Sequence, residues 1–149
     1  TRKYVGGKGK MKLFLDTNIV VDFYAQREPF FSSAWKIIEL AERGLVDIVV
    51  SSLTIINLAY ILRKGYDKDI VIAKMRHLVK LCKISKIDGD IIIDAINRQS
   101  YDFEDCVQYL SSVSKKADCI ITRDKKGFSD LGVVYMTADE FLEKCYRNE

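Results

Sequence analysis

Acidic residues follow two short apolar segments of the sequence and could form a binding site for a divalent cation. Asp16 comes directly after the apolar residues 12–15, and Asp124 lies two residues beyond the apolar segment 119–122. A third acidic group lies shortly before the second segment and consists of Asp102, Glu104 and Asp105. Carboxylates held close together repel one another, and Mg²⁺ or Mn²⁺ with oxygen ligands relieves that repulsion. A cation bound in this way can activate a water and stabilise charge on a phosphodiester.

Each of these acids also has a simpler interpretation as a local structural residue. Asp16 could cap the helix that follows it, because a side-chain oxygen can accept hydrogen bonds from the first N–H groups of a helix. Asp102 could be another cap, with Asp105 three residues later in an arrangement that resembles a capping box. Asp124 could belong to the turn RDKKG. Asp118, just before the second apolar segment, is a further candidate for the site. Cap and cation interpretations stay open for each acid taken singly, and their joint position favours the cation.

Apolar strands alternate with helical patterns along the chain, which is typical of an α/β fold. Strands are expected at residues 12–15, 46–52, 119–122 and 133–137, and 83–88 could be another. Helices are expected at residues 18–25, 34–44, 53–65, 67–82, 89–99, 102–117 and 138–146, with Ser32 or Ser33 as the cap of the second. Uninterrupted apolar strands indicate a mostly parallel sheet between two helical layers, a three-layer α/β/α sandwich. Ligands of such sheets bind beyond the carboxyl ends of the strands, where the acids are expected.

Composition and charge describe an ordinary folded chain whose body is nearly neutral. Its 149 residues are 48% hydrophobic and 30% charged, with a formal net charge of +3. Residues 1–10 carry four basic residues and no acid, so the rest has 20 basic against 21 acidic residues, a net charge of −1. We expect residues 1–10 to be an expression remnant or a disordered leader, and residues 11–149 to form a single domain. Any affinity for nucleic acid must then come from a local basic patch.

Cysteine and histidine usage argues against a zinc site or a disulfide framework. His77 is the one histidine and has no ligand partner at helical spacing. The four cysteines are far apart in the sequence, at Cys82, Cys106, Cys119 and Cys145. No apolar segment approaches the roughly 18 residues that a membrane-spanning helix needs. We therefore expect free thiols and a cytoplasmic protein.

Three segments taken together resemble the PIN domain family: LFLDTNIVVDF near the start, DFEDCVQ at the beginning of a late helix, and ADCIITRDKKGF near the end. Their order and spacing are similar to the family across residues 11–149. The resemblance implies an α/β/α sandwich with a central parallel sheet. It also implies a ribonuclease dependent on Mg²⁺ or Mn²⁺, of the kind that includes toxins of bacterial toxin–antitoxin pairs. Carried onto this chain, it makes Asp16, Asp105 and Asp124 the catalytic carboxylates that bind the metal.

Further roles follow from the same resemblance. Thr17 and Asn18 match the small polar residues beside the first acid, and Thr122 matches the hydroxyl before the last one. The family usually places a glutamate early in the helix after the second strand, where this chain has Asn57. The neutral amide removes one negative charge from the expected site and should weaken its affinity for a cation. Glu104 could compensate if its side chain reaches the site.

Residues near the expected strand ends also suggest surfaces for a substrate and for partners. Arg123, Lys125 and Lys126 form a basic cluster beside the acids, where RNA phosphates could bind, although a solvated turn would have the same composition. Aromatic residues gather around the first two expected helices, at Phe23, Tyr24, Phe30, Phe31 and Trp35. They could belong to the core or line a groove for a partner. The resemblance implies an antitoxin protein and a homodimer as partners.

Two functions therefore stay open. The first is a metal-dependent endoribonuclease that hydrolyses RNA phosphodiester bonds and could be the toxin of a toxin–antitoxin pair. The second, motivated by Asn57, is a catalytically weak or inactive PIN-like module that binds nucleic acid or protein. A phosphoryl-accepting receiver domain is excluded, because it needs paired acids after the first strand, an acidic residue closing the third and a lysine after the last. This chain has only Asp16 at the first of these places and neither of the others.

Overall fold

The fold is built on a five-stranded parallel sheet. The computed structural model describes residues 9–144 in full, together with the backbone of residues 2–3 and 147–148. The strands of the sheet are β1 (Met11–Leu15), β2 (Val46–Ser51), β3 (Cys82–Ser85), β4 (Cys119–Ile121) and β5 (Tyr135–Met136). Their spatial order is β3-β2-β1-β4-β5, and every neighbouring pair is parallel. The expected parallel sheet is thereby confirmed, with β1 at its centre. A separate antiparallel pairing joins Arg2–Lys3 to Arg147–Asn148.

Helices cover both faces of the sheet. The described part of the chain contains α1 (Thr17–Tyr24), α2 (Phe31–Glu42), α3 (Ser52–Leu62), α4 (Lys68–Leu81), α5 (Gly89–Arg98), α6 (Phe103–Ser114) and α7 (Ala138–Lys144), and a 3₁₀ turn at Lys126–Phe128. Successive side chains of a strand point to opposite faces. Leu13 and Leu15 of β1 accordingly pack into a core with α1–α4 and α7, whereas Phe14 packs with α5, α6 and Phe128. These two cores make the three-layer α/β/α sandwich that the sequence predicts.

The beginning of α2 differs from the sequence-based prediction. Helix α2 begins at Phe31, and Phe30 in the N-cap position makes no side-chain capping bond. The prediction that Ser32 or Ser33 caps this helix is wrong, because both residues lie inside it. The hydroxyl of Ser33 instead donates a hydrogen bond to Asp139 of α7. A contact between two helices has therefore replaced the local cap.

Three further expectations concern the last helix, the cysteines and membrane-spanning segments. The last helix is described as far as Lys144, so its expected extension over residues 145–146, including Cys145, lies outside the described residues. The other three cysteines form no disulfide within residues 9–144. Among the described residues, no helix combines the length and the apolar character needed to cross a membrane.

Candidate active site

Acidic side chains from several elements meet at the carboxyl end of the central strands. Asp16 follows β1, Asp124 follows β4, and Asp105 lies in the first turn of α6. Together with Asp102 and Glu104 they line a pocket of about 470 Å³. One carboxylate oxygen from each of Asp102, Asp105 and Asp124 lies within 4.8 Å of the other two. The parallel topology thus brings together acids that are far apart in sequence.

Asp16 is a helix cap and a wall of the pocket at the same time. Its side chain is buried, and its Oδ1 accepts hydrogen bonds from the Thr17 N–H at 2.9 Å and from Gln108 Nε2 at 3.3 Å. Its Oδ2 accepts a hydrogen bond from Thr122 Oγ1 at 2.8 Å. The pKa of Asp16 is raised overall, and burial is the largest cause. The three hydrogen bonds oppose this effect, whereas the nearby charge of Asp124 adds to it. The cap and pocket roles are therefore compatible, and the carboxylate is held in one orientation.

Asp105 carries a buried oxygen that no protein group within residues 9–144 satisfies. Its side chain is buried, with 7% of the residue exposed, and its Oδ2 has no hydrogen-bond partner. Burial, followed by the negative charges of Asp16, Asp102 and Asp124, raises the pKa of Asp105 to about 8. A buried carboxylate oxygen with no partner is costly, and a bound cation would satisfy it.

Gly127, in the 3₁₀ turn after β4, lies against two of the acids that line the pocket. A Cβ atom at this position would lie 1.7 Å from Asp105 Oδ2 and 3.2 Å from Asp124 Oδ2. No side chain can therefore be added here unless the Asp105 carboxylate moves. The glycine thereby allows the backbone to approach the buried Asp105 carboxylate closely.

The donor set fits a hard divalent cation. Such ions bind carboxylate oxygens at about 2.0–2.6 Å, so oxygens on one ion lie no more than about 5 Å apart. The 4.8 Å spacing of the Asp102, Asp105 and Asp124 oxygens meets this condition. The carboxylate of Asp16 lines the same pocket but is outside this group of close oxygens. Asn18 and Asn57 line the same pocket and offer neutral amide oxygens.

Glu104 also lines the pocket, although its residue is largely exposed. Burial of its carboxyl group, followed by the charges of Asp16 and Asp102, raises the pKa of Glu104. The carboxyl group of Glu104 is not part of the group of oxygens that lie within 4.8 Å of one another. Its place is therefore at the rim of the acidic cluster.

Gln108 is a site residue that the sequence interpretation missed. It lies on α6 one turn after Asp105 and is 1% exposed. Its side-chain amide hydrogen bonds with Asp16, which follows β1, and with residues of α1, β2 and α3, namely Thr17, Ser51 and Thr54. The amide thereby connects α6 to the carboxyl ends of two strands and orients Asp16. The available signal was its spacing, because residues i and i+3 lie on the same face of a helix.

Arg123, expected to bind substrate, has a structural partner. Its Nε donates to Oδ2 of Asp22 at 2.8 Å, and its Nη2 donates to Oδ1 at 3.1 Å. Asp22, on α1, is fully buried and also accepts a hydrogen bond from Arg27. The guanidinium of Arg123 lies 3.9 Å from the centroid of the Phe30 ring. The sequence did not predict this ion pair, in which Asp22 balances the positive charge of Arg123.

The two lysines after Asp124 have different surroundings. Lys125 pairs with Glu140 at 2.9 Å. Lys126 begins the 3₁₀ turn, and its Nζ lies 4.9 Å from the centroid of the exposed Tyr101 ring. Unlike Lys125, Lys126 forms no ion pair within residues 9–144.

Asp118 does not belong to the site. Its Oδ2 accepts a hydrogen bond from the backbone N–H of Lys12 at 2.7 Å. Because Asp118 precedes β4 and Lys12 is near the start of the parallel strand β1, this contact lies at the amino ends of the strands. Asp118, the weaker candidate, for which a capping or solvated role is the favoured interpretation, does not reach the acids, because they lie at the opposite edge of the sheet.

Comparison with known proteins agrees with the geometry. Residues 12–126 match the family described as the PIN domain. The chain belongs to the PIN domain family. This PIN domain is 25% identical over 139 residues to ribonuclease VapC1 of Aquifex aeolicus (strain VF5), covering 89% of this chain and 94% of that protein.

Solved structures similar to this PIN domain show the same fold. VapBC2 from Rickettsia felis, bound to a DNA fragment from its promoter, is 18% identical with a TM-score of 0.63, over 85% of this chain and 98% of that chain. Mycobacterium tuberculosis VapC20, described as a sarcin–ricin loop cleaving toxin, is 14% identical with a TM-score of 0.62, over 82% and 96%. A toxin–antitoxin complex from Klebsiella pneumoniae is 20% identical with a TM-score of 0.64, over 85% and 97%.

Proposed function

We propose that this PIN domain is an endoribonuclease that hydrolyses RNA phosphodiester bonds with Mg²⁺ or Mn²⁺. The observation that carries the proposal is the buried Oδ2 of Asp105, which has no hydrogen-bond partner and belongs to a carboxylate grouped closely with those of Asp102 and Asp124. The similarity to ribonuclease VapC1 supports the reaction class.

The residues of the pocket would have different roles in such a reaction. A bound cation supplies activation of a water and stabilisation of charge on the phosphodiester. Asp16, Asp105 and Asp124 would hold the cation. Thr122, together with the N–H of Thr17, keeps Asp16 in place through the hydrogen bonds described above. The amides of Asn18 and Asn57, which line the pocket, would orient the water or the phosphate.

Basic and aromatic side chains beside the pocket suit a nucleic-acid strand. Tyr60 lines the pocket and is half exposed, and its ring centroid lies 4.8 Å from the guanidinium carbon of Arg63 and 4.6 Å from Lys64 Nζ. Lys126 and Tyr101 form a similar pair beside Asp102 and Asp124. Cations hold phosphates and aromatic rings stack on unpaired bases. We infer that RNA crosses the acidic pocket between these two pairs.

A cleavage assay with Asp16→Asn tests the proposal. With Mn²⁺ and labelled single-stranded or structured RNA, the wild type should cut at least one substrate, and the variant should be slower by at least about 100-fold. We expect this loss of rate because substitution of residues that hydrogen-bond to metal ligands already lowers metal affinity or activity by about 10–100-fold. If neither protein cuts and calorimetry detects no Mg²⁺ or Mn²⁺ binding, the alternative motivated by Asn57, a binding module without catalysis, is the better account.

A divalent cation should stabilise the protein, and this effect should grow with pH. The pKa of Asp105 is raised to about 8, whereas an unfolded aspartate titrates near 4. The ion-free protein therefore loses stability as the pH rises from about 4 to 8, because the folded state disfavours the ionised form. A cation pairs with that ionised form, so Mn²⁺ should raise the melting temperature more at pH 8 than at pH 5.5 and should release protons on binding. A shift of equal size at both pH values would contradict this expectation.

We also propose a cytoplasmic protein that forms a homodimer and binds an antitoxin protein. Support comes from the similar structures, which include VapBC and toxin–antitoxin complexes. Phe30 and Trp35 are 40% and 44% exposed and offer apolar surface near α2, whereas Tyr24 is core. Light scattering of the purified chain, alone and with the product of a neighbouring small reading frame, tests both parts.

A further inference from the structure

Asp102 contributes a carboxylate that is already positioned for a ligand. As the N-cap of α6, it accepts the N–H of Asp105 through Oδ1 at 2.9 Å. Its other oxygen makes no hydrogen bond within residues 9–144. An ionised carboxylate has about four lone-pair sites, so one capping bond does not exhaust it. The cap instead fixes the direction in which the carboxylate points.

An independent observation points to a ligand next to Asp102. The Oδ2 of Asp105 is buried and has no hydrogen-bond partner, and one carboxylate oxygen of Asp105 lies in the same group as one of Asp102. Gly127 adds no side chain beside Asp105 Oδ2, where a Cβ would lie 1.7 Å away. The other members of the group of oxygens are acids, which can share a cation but cannot donate to Asp105 while ionised.

We propose that Asp102 is a ligand of the metal ion and supplies the carboxylate that Asn57 does not. Asn57 lines the same pocket from α3 with a neutral amide. The fourth negative charge of the site thus comes from the start of α6, beside Asp105, and not from α3. The inference rests on the proposed metal dependence and is independent of whether RNA is the substrate.

Asp102→Asn separates ligation from capping. Asparagine and aspartate are equally good N-caps, so the variant keeps the helix start and loses the charge. Calorimetry of Mn²⁺ binding to the full chain should show affinity reduced by at least about tenfold, since a metal ligand matters at least as much as its outer-shell partners. The melting temperature and circular dichroism without metal should not fall. Adding Asn57→Glu to this variant should recover Mn²⁺ affinity.

Two control variants make the result specific. Asp88→Asn changes the N-cap of α5 in the same way at a residue that does not line the pocket, and should leave Mn²⁺ affinity unchanged. Glu104→Gln removes the other acid at the start of α6 and should change the affinity by less than about threefold, because its carboxyl group lies outside the close group of oxygens.

The possible outcomes are distinct. Wild-type Mn²⁺ affinity in Asp102→Asn would show that Asp102 is only a cap and would overturn the inference, as would a large loss confined to Glu104→Gln. No Mn²⁺ binding by the wild type at millimolar concentration would overturn both the inference and the metal dependence. Mn²⁺ binding that depends on Asp102, in a protein that cuts no RNA, would support the inference and reject the nuclease.

Discussion

Gly127→Ala should nearly abolish RNA cleavage and leave the fold intact. The added methyl group would lie 1.7 Å from Asp105 Oδ2, so the carboxylate must leave its place among the acids. The backbone at Gly127 is outside the left-handed region, so alanine adds no conformational strain. We expect kcat/KM to fall by at least about 100-fold and Mn²⁺ affinity to fall with it. Cleavage assays, calorimetry and circular dichroism of one preparation measure all three quantities.

The matched control is Gly65→Ala. A Cβ at Gly65 meets nothing within 4 Å, and its backbone is also outside the left-handed region, so the same substitution should leave both activity and Mn²⁺ affinity unchanged. Wild-type cleavage and Mn²⁺ affinity in Gly127→Ala would show that the site does not need the Asp105 carboxylate where the structure places it. Unfolding of Gly127→Ala would instead show that the turn after β4 is part of the stability of the domain.

Arg123→Ala should lower the free energy of unfolding by about 3 kcal/mol. The substitution removes two hydrogen bonds from Asp22, whose side chain is 1% exposed. It leaves a buried carboxylate with Arg27 as its one remaining ionic partner within residues 9–144. Breaking a buried ion pair typically costs about 3–5 kcal/mol, and Arg27 keeps the expected cost at the lower end. Urea denaturation followed by circular dichroism measures the effect, and Arg27→Ala, at a more exposed position, should cost less.

A second substitution identifies the cause. Asp22→Asn in the Arg123→Ala background removes the buried charge that has lost its Arg123 partner and should recover part of the lost stability, whereas two independent losses would add. The competing assignment from the sequence is that Arg123 binds substrate. Wild-type stability with a raised KM in Arg123→Ala would favour that assignment over the ion pair.

Local patterns were enough to predict the fold and the main acids. Uninterrupted apolar segments such as residues 12–15 and 119–122 have no polar face, so they had to be buried strands with helices on both sides. In a parallel sheet, residues that follow neighbouring strands come out at the same edge. This placed Asp16 and Asp124 together once the strands were recognised, and the PIN resemblance added Asp105 on the helix before β4.

Contacts between distant elements had no local signature. A buried glutamine, an arginine after a strand and a glycine in a turn each have ordinary local interpretations, and the structure gives each a partner more than 20 residues away. Gln108 reaches Asp16, Arg123 reaches Asp22, and Gly127 lies against Asp105.

The sequence by itself determined a parallel α/β sandwich with acids at one sheet edge, because apolar periodicity and strand direction follow from nearby residues. The tertiary structure alone decided which acids have carboxylates close to one another in the pocket. The local sequence predicts that Asp102 is a helix cap. Only the packing of the elements brings its carboxylate close to those of Asp105 and Asp124. A hydrogen-bonded cap is a local property, whereas the distance between carboxylates of different elements depends on how those elements pack.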